Sequence, residues 1–366
     1  MRVAILHDYL NQFGGAERVL QVLLEMFPEA DLYTLAYDKE RSRGLFEGKI
    51  KGTSFIDWPV VRRYHRLFIP FMPLAAASFK QKGKRYDLVI SSTAGYAKGF
   101  NIKAPYHVSY CHSPLRYAWE MEYMKDIPFA PSGFKTAVAR PIAKILKRWD
   151  KRASDKVNFF IANSAFIADK VRAYYGREAA IVYPPIRDDV FYPEPAEGKR
   201  DYYLMAGRLL YYKRFDLGIE AMNRIKKPLK VVGQGPELKK LKKMVRNGNI
   251  EFIEGVDDNS LRHLYANAKA LIFPQVEDFG LVAAEAQACG TPVIAFDAGG
   301  AREIVVHKRT GYLFDKQTPE SVIEAVQAFE NLTLDRRAIA ASAQRFSREN
   351  FKKNLAEIFA EFGFKI

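Results

Sequence analysis

The stretch 274–295, PQVEDFGLVAAEAQACGTPVIA, limits most strongly what the chain can fold into. The apolar run 270–273 before it reads as a buried strand that stops at Pro274. A polar loop with Glu277 and Asp278 follows, and Gly280 opens the helix-forming run LVAAEAQA, which ends at Gly290. Thr291, Pro292 and residues 293–295 begin the next strand. Strand, loop, helix and strand in this order form one unit of an α/β sheet, and such sheets take ligands beyond the carboxyl ends of their strands. Glu277 lies in the loop and Glu285 in the helix. Both acids can face one crevice, beside backbone N–H groups at the helix start that suit a phosphate. A surface loop followed by one buried and one solvated acid fits the same residues.

The rest of the chain repeats the alternation. Short apolar runs at 2–6, 32–36, 88–91, 108–110 and 159–162 read as strands separated by helical or irregular stretches. The pattern restarts at 202–206 and continues at 230–232, 250–253 and 270–273. Such alternation predicts a mostly parallel, doubly wound sheet in each half. Between the halves, residues 182–198 carry Pro184, Pro185, Pro193, Pro195 and Gly198 and read as a linker. The 366 residues suit two α/β domains, at 1–190 and 191–349, with a ligand-binding cleft between them. The final run, 350–366, has apolar residues at helical spacing and is expected to cross back onto the first domain.

Other stretches point to anions. The first strand is followed by Gly14 and Gly15 and then by Val19, Leu20, Val22, Leu23 and Met26 at helical spacing. Glycines there let backbone N–H groups approach a phosphate, although tight strand–helix turns also use glycine. No G-x-G-x-x-G occurs in this turn, which weakens a dinucleotide reading. His112, in YCHSPLRYAWE at 110–120, follows a strand end and faces the expected crevice. Its neighbour Cys111 does not make a cysteine nucleophile, because that pair needs geometry and not adjacency.

Charge points the same way: 57 Lys and Arg against 42 Asp and Glu leave a net +15, a field that attracts nucleic acid, anionic lipid or phosphates at a site. No nucleic-acid module accompanies it. Segment 57–85 mixes Trp58, Tyr64, Phe68, Phe71 and Phe79 with many Lys and Arg, and segment 135–152 has apolar residues at roughly helical spacing among basic ones. Either suits a helix lying in a membrane interface, or an ordinary amphipathic helix packed on the core. The longest uncharged run, 67–79, is well short of the ~20 apolar residues that a spanning helix needs. The N-terminal apolar run is too short for a signal peptide, and two cysteines, Cys111 and Cys289, fit a reducing cytoplasm. The expected location is cytoplasmic, peripheral on the inner face of the cell membrane.

Taken in order, Gly14-Gly15-Ala16-Glu17, Gly207-Arg208 with Lys213, Gly233-Gln234-Gly235-Pro236 and the pair Glu277…Glu285 resemble the motifs of family-4 retaining glycosyltransferases with two Rossmann-like domains (GT-B). The resemblance runs along nearly the whole chain, and the block 110–120 is similar to bacterial mannosyltransferases that build lipopolysaccharide O-antigen. It implies a nucleotide-sugar donor, with GDP-mannose the best match, held by the second domain, and a lipid-linked or polysaccharide acceptor against the first. Carried over, Arg208 and Lys213 bind the diphosphate, and Glu285 holds the ribose. Glu277 and the N–H groups of Phe279, Gly280 and Leu281 grip the sugar and phosphates. Gly233 lies in the turn beside the base, Gly14 and Gly15 allow a loop to close over the pyrophosphate, and His112 lies near the sugar. No metal or cofactor is implied. The chain has no Asp-x-Asp and no cluster with metal-ligand spacing, and two cations stand where a metal would.

The resemblance leaves rivals: an epimerase or hydrolase of the same architecture, and a non-catalytic nucleotide-sugar-binding module. Retention by double displacement would need a carboxylate at the anomeric carbon, and Glu277 is the one nearby candidate. Front-face attack, in which the departing phosphate takes the acceptor's proton, is the expected route.

Overall fold

The computed structural model describes residues 1–81, 83–120, 134–198 and 200–364, without the side chains of 134–139. Lys82 and the side chains of Lys135 and Val138 in the two basic segments thus lie outside what is described. The chain divides into two compact units, Met1–Tyr183 with Asn354–Ile366, and Pro184–Lys353. The division falls inside the proline-rich stretch, and the helix Arg348–Glu361 runs through the second one.

The first unit is built on seven strands: β1 (Val3–His7), β2 (Asp31–Thr34), β3 (Ile50–Thr53), β4 (Leu88–Thr93), β5 (Tyr106–Cys111), β6 (Phe159–Ala162) and β7 (Ala179–Ile181), in the order β3-β2-β1-β4-β5-β6-β7. The second is built on six: β8 (Tyr202–Ala206), β9 (Leu229–Val232), β10 (Ile250–Ile253), β11 (Ala268–Phe273), β12 (Val293–Phe296) and β13 (Gly311–Phe314), in the order β10-β9-β8-β11-β12-β13. Every pairing between these strands is parallel. Central strands such as β1 and β8 are buried throughout, as parallel strands covered on both faces must be. Strands β3, β7 and β13 do not appear in the sequence reading, and all three lie at sheet edges. Their sequences, IKGT, AAI and GYLF, carry partly exposed residues and no long apolar run.

Helices cover the sheets with their apolar sides. In Phe215–Ile225 the residues Phe215, Leu217, Ile219, Ala221 and Met222 are buried in the second core. The helix Phe134–Ser154 decides between the two readings of segment 135–152. Its Ala143 and Leu146 are buried, and Ile142 and Trp149 pack on the first core. Its Asp150 is fully buried, 2.6 Å from the ammonium of Lys98. The stripe that suggested a membrane-lying helix is therefore spent on the protein's own interior, with Ile145 left outside.

Candidate active site

Polar side chains gather at the carboxyl end of each sheet. In the second unit the strand order reverses between β8 and β11, the point at which open α/β sheets take ligands. The segment after β8 passes through Gly207, Arg208 and Leu209 into a single 3-10 turn, Tyr211–Lys213. The segment after β11 runs from Pro274 to Gly280, the N-cap of the helix Leu281–Ala288. The ammonium of Lys213 donates to Glu277 Oε1, joining the two segments across the reversal. Both side chains are largely buried, 15% and 18% exposed, so each charge is compensated by the other. Arg208 stands exposed on the same segment as Lys213.

Backbone packing fixes both segments. At Gly233, with φ +146°, an added Cβ would fall 1.9 Å from the carbonyl oxygen of Gly207. A glycine is therefore required there, and it lets the turn after β9 brace the turn after β8. The N–H of Leu209 donates to Gln234 O at 2.8 Å across the same contact. From the other side, the N–H of Gly300 donates to Glu277 O at 2.9 Å, and a Cβ on Gly300 would fall 2.1 Å from Phe279 O. Sequence reasoning overlooked Gly299 and Gly300. The signal was available, since two glycines follow the apolar strand β12 as Gly14 and Gly15 follow β1.

Gly280 sits at φ +108° and its carbonyl accepts from Ala283 and Ala284 at 2.9 and 3.2 Å. The N–H groups of Leu281 and Val282 belong to the first turn, where a helix offers them no carbonyl. Phe279 is buried against Phe346, and Glu285 is buried inside the helix at 3% exposure. Burial, and then the charge of Glu285, push the Cys289 thiol well above its ordinary range, so it is not a thiolate nucleophile.

In the first unit the order reverses between β1 and β4. Gly14 caps the helix Gly15–Met26, and its N–H donates to Glu17 Oε2 at 2.8 Å. One N–H expected to face an anion is thus held by the chain's own acid. Burial alone would raise the Glu17 carboxyl, but the nearby ring of His7, with the N–H of Gly14, outweighs it and holds the carboxyl below its ordinary value. Asp8 gathers the loop after β4 by accepting from the N–H groups of Ala94, Tyr96 and Ala97 at 2.6, 2.8 and 2.5 Å. His112 lies just beyond β5, its Nε2 2.8 Å from Ser92 Oγ. Neither His7 nor Asp8 had been singled out as a site residue.

Each sheet end thus collects its own set. Lys213, Glu277, Arg208, Gly233 and residues 279–281 share one end of the second sheet; Gly14, Gly15 and His112 share one end of the first. Among the described residues no three of His, Cys, Asp and Glu are grouped as ligands for a metal ion.

Two parallel Rossmann-like sheets, with glycine turns, cations and an acid at a strand-order reversal, define a doubly wound α/β protein of two domains. Residues 13–190 match the family described as Glycosyltransferase Family 4, and residues 187–346 match Glycosyl transferases group 1. The chain belongs to the family-4 glycosyltransferases of GT-B fold. It is 30% identical to a Mycobacterium tuberculosis protein named GDP-mannose-dependent alpha-(1-6)-phosphatidylinositol monomannoside mannosyltransferase, across 56% of this chain and 59% of that one. It is 28% identical to an uncharacterized glycosyltransferase of Methanocaldococcus jannaschii, across 54% of this chain and 55% of that one. The matched region thus spans little more than half the length of these curated relatives. Among solved structures, Anabaena HepE in complex with UDP superposes with a TM-score of 0.71 at 20% identity, over 99% of this chain and 100% of that one. Sucrose-phosphate synthase from Thermosynechococcus elongatus gives 0.71 at 18% identity over 99% of each chain.

Proposed function

We propose that the chain transfers a hexose from a nucleoside-diphosphate sugar to a glycan acceptor with retention of configuration. The observation that carries this reading is the Lys213–Glu277 pair at the reversal between β8 and β11, with Arg208 on the same segment as Lys213. In transfer the bond from the anomeric carbon to the diphosphate oxygen breaks, and its electrons leave with the diphosphate. Arg208 and Lys213 neutralise that developing charge, helped by the N–H groups at the start of Leu281–Ala288. The acceptor oxygen attacks from the same face, and its proton passes to the departing phosphate oxygen. Glu277, freed from Lys213 when the diphosphate arrives, holds sugar hydroxyls, and Glu285 the ribose. With two side-chain cations in place, no metal is needed for the leaving group.

GDP-mannose is the proposed donor, supported by the name of the mycobacterial relative. The acceptor is proposed to be lipid-linked or a polysaccharide in cell-envelope glycan synthesis. Its site is proposed to lie at an anionic membrane surface, met by the first unit. In that unit Trp58 is 65% exposed and Leu74 62%, with Val60, Tyr64 and Phe71 also exposed, and Arg63 stands among them. Amphipathic aromatic rings beside cations suit an anionic lipid interface. Among the described residues no helix is long and apolar enough to cross a membrane.

The test is a thermal-shift screen of GDP-, UDP- and ADP-sugars, followed by product analysis with membrane lipid as acceptor. A bound donor stabilises the native state. Stabilisation by a GDP-sugar with transfer to lipid is expected. Stabilisation by none of the three overturns the reading, and full-rate release of free sugar without acceptor favours the epimerase or hydrolase.

A further inference from the structure

The amino end of the second sheet holds a cavity of about 460 Å³, where Arg200, Lys269 and Arg336 gather with one acid, Glu330. Arg200 stands two residues before β8, and Lys269 is the second residue of β11. Lys213 and Glu277 follow the opposite, carboxyl ends of the same two strands. The cavity is therefore separate from the proposed donor site and shares no residue with it.

Backbone oxygens set the cations in place. Ala268 pairs with Tyr202 and Leu271 with Leu204, so three steps along β11 match two along β8. Such a bulge re-aims the side chains that it carries, here Lys269. At the bulge Arg336 Nη2 donates to Ala268 O and, at 3.0 Å, to Lys269 O. Arg200 Nε donates at 2.9 Å to Ala266 O, in the last turn of the helix Asp258–Asn267, whose carbonyls lack helical partners. Arg336 Nη1 reaches the same oxygen at 3.4 Å. One carbonyl thus holds two guanidiniums side by side.

Capping a helix end and a bulge does not use up these groups. Among the described residues Nη1 and Nη2 of Arg200 have no hydrogen-bond partner, and neither guanidinium pairs with a carboxylate. Burial, and then the charge of Arg200, push the Arg336 pKa down to about 10. Glu330 does not balance the three cations. Its Oε1 already accepts from Tyr203 at 3.0 Å and from Lys227 at 2.8 Å, and Lys269 stands off at 3.7 Å. Tyr203, Phe329 and Leu332 add an apolar side to the lining. The size falls within the roughly 300–1,000 Å³ of small-molecule sites.

We propose that this cavity binds a phosphate monoester with an apolar body. The phosphate lies among Arg200, Arg336 and Lys269, since a guanidinium fork matches two phosphate oxygens at once. The body lies against Phe329 and Leu332. The inference goes beyond the proposed function and does not depend on it.

The experiment is calorimetric titration of phenyl phosphate and of inorganic phosphate at fixed ionic strength. The full chain carries Arg208→Ala/Lys213→Ala, so that the cations of the proposed donor site do not contribute. Phenyl phosphate is expected to bind one to one and more tightly than inorganic phosphate. Adding Arg200→Gln should weaken it by roughly tenfold or more, as loss of charge-assisted contacts requires. Adding Lys269→Gln instead should weaken it too, and it decides alone if the Arg200 variant does not fold. Arg336 is kept, because its loss would unseat three carbonyls. Phenyl phosphate that does not bind, that binds no more tightly than inorganic phosphate, or that binds the folded variants as before overturns the proposal.

Discussion

The ammonium of Lys213 rests on the carboxylate of Glu277, so that the segments after β8 and β11 neutralise one another. A diphosphate arriving there competes with Glu277 for Lys213. Removing the acid therefore separates binding from chemistry. Glu277→Ala is expected to bind nucleoside diphosphate at least as tightly as wild type while its turnover falls by roughly 10²–10³-fold. Calorimetric titration beside a transfer assay checks both. Loss of diphosphate binding would show that Glu277 organises the anion site and does not compete with it. A trapped glycosyl–Glu277 adduct in mass spectrometry would replace front-face attack with double displacement.

The glycines divide into two classes. Gly233→Ala drives a methyl group to 1.9 Å from Gly207 O at a φ that side chains avoid. It should cost more than the ~1–3 kcal/mol of such backbone strain and abolish the donor's thermal shift. Gly14→Ala is different. Its φ is −138°, and its Cβ would meet only Glu17 Oε2, at 3.3 Å. It should change stability by less than about 1 kcal/mol in urea unfolding. If Gly14→Ala nevertheless abolishes transfer, the glycine serves the close approach of the donor and not the fold.

The second unit's site was largely legible because it is local. Glu277, Phe279, Gly280 and Glu285 fall within nine consecutive residues, and an apolar run, a polar loop and a glycine mark strand, loop and helix start. In the first unit Gly14, Gly15 and His112 stood out in the sequence, but the meeting of His7, Glu17, Ser92 and His112 did not, because it comes only through the adjacency of β1, β4 and β5. A single sequence does not state strand order. The same limit hid the contact of Lys213 with Glu277, 64 residues apart. For the helix Phe134–Ser154 the periodicity was read correctly, but periodicity alone does not say whether an apolar stripe meets lipid or the protein's own core.

Acid sensitivity should arise at His107. Burial, and then the charges of Lys98 and Lys156, push its pKa from 6.5 down to about 4, with Nε2 2.9 Å from Ser91 Oγ. As pH falls from 6.5 towards 4, the unfolded chain takes up a proton that the folded chain refuses. Stability is therefore present above the unfolded value and is lost as pH falls through the folded one. The full contribution is about 3 kcal/mol at 1.36 kcal/mol per unit. Urea unfolding of His107→Gln at a series of pH values should show a flatter decline over this interval than wild type. Equal slopes would place the acid sensitivity elsewhere.

The exposed ridge of the first unit should decide membrane attachment. Each aromatic ring that enters the interface contributes about 1–2 kcal/mol, so Trp58→Ala with Phe71→Ala should weaken binding to anionic vesicles by roughly tenfold or more. Raised salt should weaken it further in wild type. Vesicle sedimentation at low salt measures this, and unaltered binding by the double variant would rule the ridge out as the contact.

The central claim is that the reversal between β8 and β11 holds the diphosphate of a sugar nucleotide through Arg208 and Lys213. The most direct measurement is calorimetric titration of GDP and GDP-mannose into wild type and into Arg208→Ala/Lys213→Ala. Wild type should bind both ligands, and the double variant should lose at least about tenfold in affinity for each, since charge-assisted phosphate contacts are worth about 1.5–3 kcal/mol apiece. Undiminished binding by a folded double variant would contradict the account.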